Sequence, residues 1–212
     1  MPTRQERLAQ LLDRKVIAVI RMTDTDRLMD VIAAIQKGGV EWIEITMVVP
    51  DAIDVLKEVS QRGGSAVIGA GTILDPETAR LAILAGAEFI VSPILNLEVI
   101  KLAHRYDRLA IPGAFTPTEI LTAWEAGADV VKVFPATALG PAFIKDVQGP
   151  LPQVKLCPTG GVTVENAGEF IAAGAACVGV GTDLLDKAAI AEGRYELLTR
   201  RAEQLVANTR QT

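Results

Sequence analysis

A small residue followed by glycine recurs four times in the chain, as Gly38-Gly39-Val40, Ala85-Gly86-Ala87, Ala126-Gly127-Ala128 and Ala173-Gly174-Ala175, at intervals of 47, 41 and 47 residues. Each copy stands between an amphipathic helical stretch and a run rich in β-branched residues. Glycine ends a helix in the left-handed conformation without steric cost, so each copy reads as a helix stop followed by a strand. The interval is the length of two strand–helix units, which makes these the second, fourth, sixth and eighth strands of a series. Apolar runs near 16–21, 41–47, 66–71, 88–92, 108–112, 129–134, 154–158 and 176–180 supply the full set of strands. Helical patterns fill the gaps at 24–37, 51–61, 76–85, 96–105, 117–126, 141–147 and 164–173. Such alternation implies a parallel sheet, and eight units imply a closed one. The expectation is a single (β/α)8 TIM barrel over residues 1–212, opened by an N-terminal amphipathic helix with Leu8, Leu11 and Leu12. A further helix at 194–208 covers the barrel.

Composition excludes several functions. Net charge is −5, from 21 basic and 26 acidic residues without a basic cluster, whereas nucleic-acid binding needs concentrated positive charge. No apolar run approaches the roughly 20 residues needed to span a bilayer, and Met1–Arg14 lacks the apolar core of a signal peptide. Cys157 and Cys177 sit in apolar runs as core residues, which suits a reducing cytoplasm. The single histidine, His104, falls in a predicted surface helix, so a histidine-rich metal centre is not expected.

Aligning the four strands on their glycines sorts side chains by parity. Ile43, Ile90, Val131 and Val178 form a uniform aliphatic set for the helix side. Trp42, Phe89, Val130 and Cys177 form a lower inward layer, and Glu44, Val91, Lys132 and Gly179 the next. Thr46, Pro93, Phe134 and Gly181 stand above them at the rim. Barrel interiors are filled in layers of four from alternate strands, so Glu44 and Lys132 are expected to face each other across the interior.

An enclosed carboxylate and amine form either a structural ion pair or a reactive one. Desolvation makes the pair expensive beside an apolar filling, and both residues lie toward strand C-termini, where barrel active sites are built. A desolvated amine forms an imine with a carbonyl, and a neighbouring carboxylate moves protons at the adjacent carbon. Together they support making or breaking a carbon–carbon bond beside a carbonyl. Gly179 in that layer is expected to leave volume for a substrate. Two loops, Pro158-Thr159-Gly160-Gly161-Val162 and Gly179-Val180-Gly181-Thr182, follow the seventh and eighth strands, where phosphate is held in such barrels. Gly69-Ala70-Gly71-Thr72 adds a hydroxyl after the third strand, although a capped tight turn explains it equally. Lys155 reads as a snorkelling residue or an ion-pair partner.

Gly39-Val40 through Glu44-Ile45-Thr46, Gly69-Ala70-Gly71-Thr72, Val91-Ser92-Pro93, Ile111-Pro112-Gly113, Lys132-Val133-Phe134-Pro135 and Pro158-Thr159-Gly160-Gly161 occur in that order. This set resembles the class I 2-keto-3-deoxy-6-phosphogluconate aldolases, grouped with the 4-hydroxy-2-oxoglutarate aldolases, from about Val16 to Thr182. The resemblance implies a homotrimer of barrels without metal or organic cofactor. It assigns Lys132 the Schiff base, Glu44 the proton shuttle and Thr72 a hydroxyl near the pyruvate carboxylate. Thr46, Pro93 and Phe134 would line the pocket, and Gly160, Gly161, Gly181 and Thr182 the phosphate site. The implied substrate is a phosphorylated keto acid, cleaved reversibly to pyruvate and glyceraldehyde 3-phosphate. Many members carry an arginine where this chain has Val48, and Arg21, ending the first strand, could supply that charge instead. The galactonate epimer and unphosphorylated 4-hydroxy-2-oxoglutarate are alternative substrates. An isomerase or synthase on the same phosphate loops, or a metabolite-binding barrel without turnover, are alternative functions.

Overall fold

In a computed structural model describing residues 2–62 and 64–210, the chain alternates between strand and helix almost throughout. The strands are β1 (Val16–Ile20), β2 (Trp42–Thr46), β3 (Val67–Gly71), β4 (Phe89–Val91), β5 (Leu109–Ile111), β6 (Gly113–Ala114), β7 (Val131–Val133), β8 (Leu156–Pro158) and β9 (Val178–Val180). Between and around them lie α1 (Arg4–Arg14), α2 (Leu28–Lys37), α3 (Ala52–Arg62), α4 (Pro76–Leu84), α5 (Leu97–Arg105), α6 (Pro117–Glu125), α7 (Gly140–Gln148), α8 (Ala167–Ala172), α9 (Lys187–Ala191) and α10 (Tyr195–Arg210). The repeat glycines Gly39, Gly86, Gly127 and Gly174 have φ of 93°, 113°, 94° and 105°, the left-handed helix stops that the repeat predicted. Residues 1, 63, 211 and 212 of the predicted domain lie outside the described residues.

All strand pairs are parallel and form a curled sheet in two parts, β5-β4-β3-β2-β1-β9 and β6-β7-β8. The predicted fifth strand, 108–112, is β5, which stops before Pro112, and a short β6 that was not predicted follows it; the proline has no N–H to donate to a ladder. The two parts meet at both seams. The Asp129 N–H donates to Ala110 O (3.1 Å) and the Lys132 N–H to Pro112 O (2.9 Å). At the other seam, Thr159 bridges to Gly179 and the Ala176 N–H donates to Leu156 O (2.8 Å). α2 begins later than the periodicity suggested, because the Asp24 side chain accepts from the Asp26 N–H (3.1 Å); that local turn competes with helix.

The core divides by strand face, as parity requires. Ile43, Ile90, Val131 and Val178 pack beneath the helices, while Ile17, Trp42, Val67, Phe89, Leu109, Val130, Cys157 and Cys177 pack inside the curl with Leu11 of α1. The Cys177 thiol is pushed up by its hydrogen bond to Cys157 and by burial, which leaves it a poor nucleophile. α1 is fixed across the N-terminal ends of the strands by charge. Arg4 pairs with buried Asp129 (2.9 Å), Arg14 with Glu41 (3.2 Å), and Arg7 with Glu88. His104, expected on a surface helix, is instead half-buried on α5 against the same Asp129 carboxylate (3.1 Å). Lys155 lies over the Trp124 ring at 4.8 Å, a cation–π contact in place of the expected snorkel or ion pair.

Asp129 also accepts from the Ala110 N–H at 2.9 Å, so one carboxylate joins α1, α5, β5 and the approach to β7. Removing one partner of a buried charged cluster strands the others, so Asp129→Ala lowers folding stability by about 3 kcal/mol. A denaturant midpoint unchanged by the substitution contradicts this account.

Candidate active site

Glu44 projects inward from β2 and Lys132 from β7, both almost fully buried. Lys132 Nζ lies 3.9 Å from Glu44 Oε1. That separation exceeds a direct hydrogen bond, and among the described residues Oε1 has no hydrogen-bond partner. Each group therefore keeps capacity for a third polar atom between them. Lys132 Nζ also lies 5.1 Å from the centre of the Phe134 ring, which stands above it toward the rim.

Gly71, at the end of β3, is what gives Glu44 its room. A Cβ built on Gly71 would lie 1.9 Å from Glu44 Oε1 and 2.5 Å from its carboxyl carbon. Gly71→Ala therefore overpacks this layer and displaces the carboxylate, lowering folding stability by about 1–3 kcal/mol. An alanine variant with an unchanged denaturant midpoint would contradict this packing. Thr72 follows at once with φ 59°. A left-handed threonine is costly and persists where its surroundings over-determine it, often at functional sites.

Phe134 forms one wall of a cavity of about 410 Å³, with Val19, Arg21, Thr159, Gly160, Gly161, Val162, Thr163, Gly181, Thr182 and Asp183 around it. Arg21, Phe134, Gly160, Gly161, Gly181 and Thr182 of the predicted set thus share one chamber. The Gly161 and Val162 amides have no acceptor among the described residues. Arg21 is exposed and, among the described residues, has no ion-pair partner. Asp183, in contrast, is occupied by Arg201 (2.9 Å) and the Val164 N–H (2.7 Å).

Three predicted residues stand apart from that chamber. Thr46 is fully buried and its hydroxyl donates to Ile20 O (2.9 Å), so its proton is committed to joining the ends of β1 and β2. Thr72 and Pro93 are half-buried at the ends of β3 and β4. Pro93 packs on Gly113, where an added Cβ would lie 2.4 Å from the proline carbonyl carbon.

The space expected at Gly179 is filled. A Cβ there would lie 2.4 Å from Thr159 Oγ1, so the glycine accommodates a neighbouring side chain rather than a substrate. Thr159 is the residue that motif reasoning passed over. It is buried, lines the chamber, and its hydroxyl makes only long contacts among the described residues, 3.5 Å to Cys157 O and 3.9 Å to Cys157 Sγ. Its parity with inward Cys157 was the available signal, but β8 belongs to the set of strands that lacks the glycine landmark.

A buried amine and carboxylate near the C-terminal ends of parallel strands, under an open chamber, mark an α/β enzyme. Comparison with known proteins gives the family. The model of the KDPG and KHG aldolase family matches residues 8–201. The 2-dehydro-3-deoxy-6-phosphogalactonate aldolase of Escherichia coli is 37% identical over 171 residues, 80% of this chain and 83% of that protein. The 2-dehydro-3-deoxy-phosphogluconate aldolase of Pseudomonas aeruginosa is 36% identical over 200 residues, 92% of this chain and 89% of that one. Among solved structures, a KDPG aldolase from Legionella pneumophila with pyruvate captured as a covalent carbinolamine intermediate matches with a TM-score of 0.86. It is 30% identical, covering 93% of this chain and 97% of its own. The chain belongs to the KDPG and KHG aldolase family, and it is a carbon–carbon lyase.

Proposed function

We propose that this aldolase cleaves 2-keto-3-deoxy-6-phosphogluconate reversibly to pyruvate and D-glyceraldehyde 3-phosphate through an imine on Lys132. The observation that carries this reading is the enclosed Lys132–Glu44 pair, 3.9 Å apart with an unpartnered carboxylate oxygen. In its neutral form the amine adds to the C2 carbonyl, and loss of water gives the imine, an electron sink for the next step. Glu44 takes the proton of the C4 hydroxyl as the C3–C4 bond breaks, releasing the aldehyde and leaving an enamine. The same carboxyl group returns a proton to C3, and water then hydrolyses the imine to free pyruvate and Lys132.

In this reading the free Gly161 and Val162 amides, with Gly160, Gly181 and Thr182, hold the phosphate. Phe134, Pro93 and Thr72 wall the reacting end. Arg21 supplies the charge for the pyruvate carboxylate in place of an arginine at Val48, which is exposed at 55%. Losing a charge-assisted hydrogen bond of this kind raises the KM for pyruvate in the addition direction about tenfold or more in Arg21→Ala. An unchanged pyruvate dependence would remove Arg21 from this role.

The two seams support closure of the curled sheet into a (β/α)8 barrel, with β5 and β6 as one interrupted strand. Exposed Leu74, Leu81, Leu84, Ile94 and Leu97 support self-association, since side chains of this size gain by being covered, and the family resemblance makes that assembly a homotrimer. The galactonate epimer is the second substrate reading, favoured by the Escherichia coli relative named for it. Coupling pyruvate release to lactate dehydrogenase compares both phosphorylated epimers with 4-hydroxy-2-oxoglutarate. The proposal expects the gluconate epimer to have the highest kcat/KM. Equal use of the unphosphorylated acid contradicts the role given to the glycine loops.

A further inference from the structure

A second cavity, of about 250 Å³, adjoins the reaction chamber and shares Val19, Arg21 and Thr182 with it. Its remaining walls come from the segment after β1 (Met22, Thr23, Asp24) and from the β9–α9 region (Leu185, Lys187, Ile190, Ala191). Leu185 and Ile190 are buried, and Met22 packs on the core. The walls are therefore largely apolar, with charge added by individual side chains. Arg27 holds the two sides together, donating to Ile190 O (2.6 Å) and Ala191 O (2.8 Å).

The charges are unequal. Asp24 is partnered by Arg27 at 3.5 Å. Arg21 and Lys187 are both exposed and, among the described residues, neither has an ion-pair partner. With Arg21 assigned to the pyruvate carboxylate, the annex presents an apolar body and one further positive charge, Lys187, beyond the loop proposed to hold the substrate's phosphate. Apart from the shared Arg21 and Thr182, none of these features is needed for a three-carbon phosphorylated aldehyde, which ends at the glycine loops.

Resting on the aldolase reading, we infer that the annex receives the far end of longer acceptors: aliphatic aldehydes that end in a carboxylate, with Lys187 pairing the terminal anion. The reaction is the same addition. The enamine carbon of Lys132-bound pyruvate bonds to the aldehyde carbon, the new hydroxyl takes its proton from Glu44, and water releases the 4-hydroxy-2-keto acid. No atoms are lost between pyruvate, aldehyde and product. Methylenes of the longer chain lie against Leu185, Ile190 and Met22, where leaving water is favourable. Lys187 lies outside the reaction chamber's lining and so acts on the choice of acceptor.

The test measures pyruvate addition to pimelic semialdehyde, to its methyl ester and to glyceraldehyde 3-phosphate, in the wild type and in Lys187→Gln. The wild type is expected to prefer the acid over the ester. Lys187→Gln raises the KM for the acid about fivefold, the effect of one exposed ion pair, and leaves kcat and the triose phosphate reaction unchanged. Failure to use the acid, equal use of acid and ester, or an equal effect of Lys187→Gln on the triose phosphate overturns the inference. Loss of the triose phosphate reaction in the wild type itself is a separate outcome: it removes the aldolase reading, and the annex assignment with it.

Discussion

Replacing Lys132 by methionine removes aldol cleavage, lowering kcat by about four orders of magnitude or more. Methionine keeps much of the side-chain volume at this buried position on β7 and so limits the cavity that alanine would leave. It does leave Glu44 enclosed without its cation, and a fall in stability is expected with it. Lys132→Arg separates the two effects. Arginine keeps a positive charge near Glu44, 3.9 Å from the native amine, but a guanidinium does not deprotonate to form an imine. The arginine variant is therefore folded and inactive. If instead it retains activity comparable to wild type, the lysine serves only as an ion-pair partner.

The second large effect belongs to the carboxylate. Glu44→Gln lowers kcat by about two to four orders of magnitude, the range expected when a positioned general acid–base is lost. Glutamine matches the size of glutamate, so the contact across Gly71 and the surrounding layer are preserved. The amide cannot shuttle a proton between the hydroxyl and the carbon that becomes the pyruvate methyl group. Exchange of pyruvate methyl hydrogens with deuterated water, followed by proton NMR, isolates this step from the aldehyde. Wild-type enzyme is expected to catalyse the exchange and Glu44→Gln to lose it. Undiminished exchange in the variant would assign the proton transfer to another group.

How much of this was legible in the sequence depends on which strands carried a landmark. Gly39, Gly86, Gly127 and Gly174 fix the parity of every other strand, because a left-handed helix stop sets where the next strand begins. From that, the facing of Glu44 and Lys132 and the helix-side set Ile43, Ile90, Val131 and Val178 could be read before any coordinates. The intervening strands had no such marker. Thr159 on that set went unassigned, and the space predicted at Gly179 proved to be its packing partner. Charge was legible at Lys132 because an amine within an apolar strand is rare. His104 and Arg4, which converge on Asp129 from helices far apart in the chain, carried no local signal at all. Thr46 shows the opposite limit. Its inward parity at the rim was readable, but the commitment of its hydroxyl to Ile20 O depends on the register of two strands, which residue type does not reveal.

Covalent trapping tests the central claim most directly. The protein is incubated with pyruvate and borohydride, and intact and peptide masses are measured for the wild type and for Lys132→Ala. Borohydride reduces an imine to a stable amine, so the account predicts one added pyruvate unit on the peptide containing Lys132 and none on the folded variant. A folded wild-type protein that gains no mass, or gains it at another lysine, contradicts the mechanism built on the Lys132–Glu44 pair.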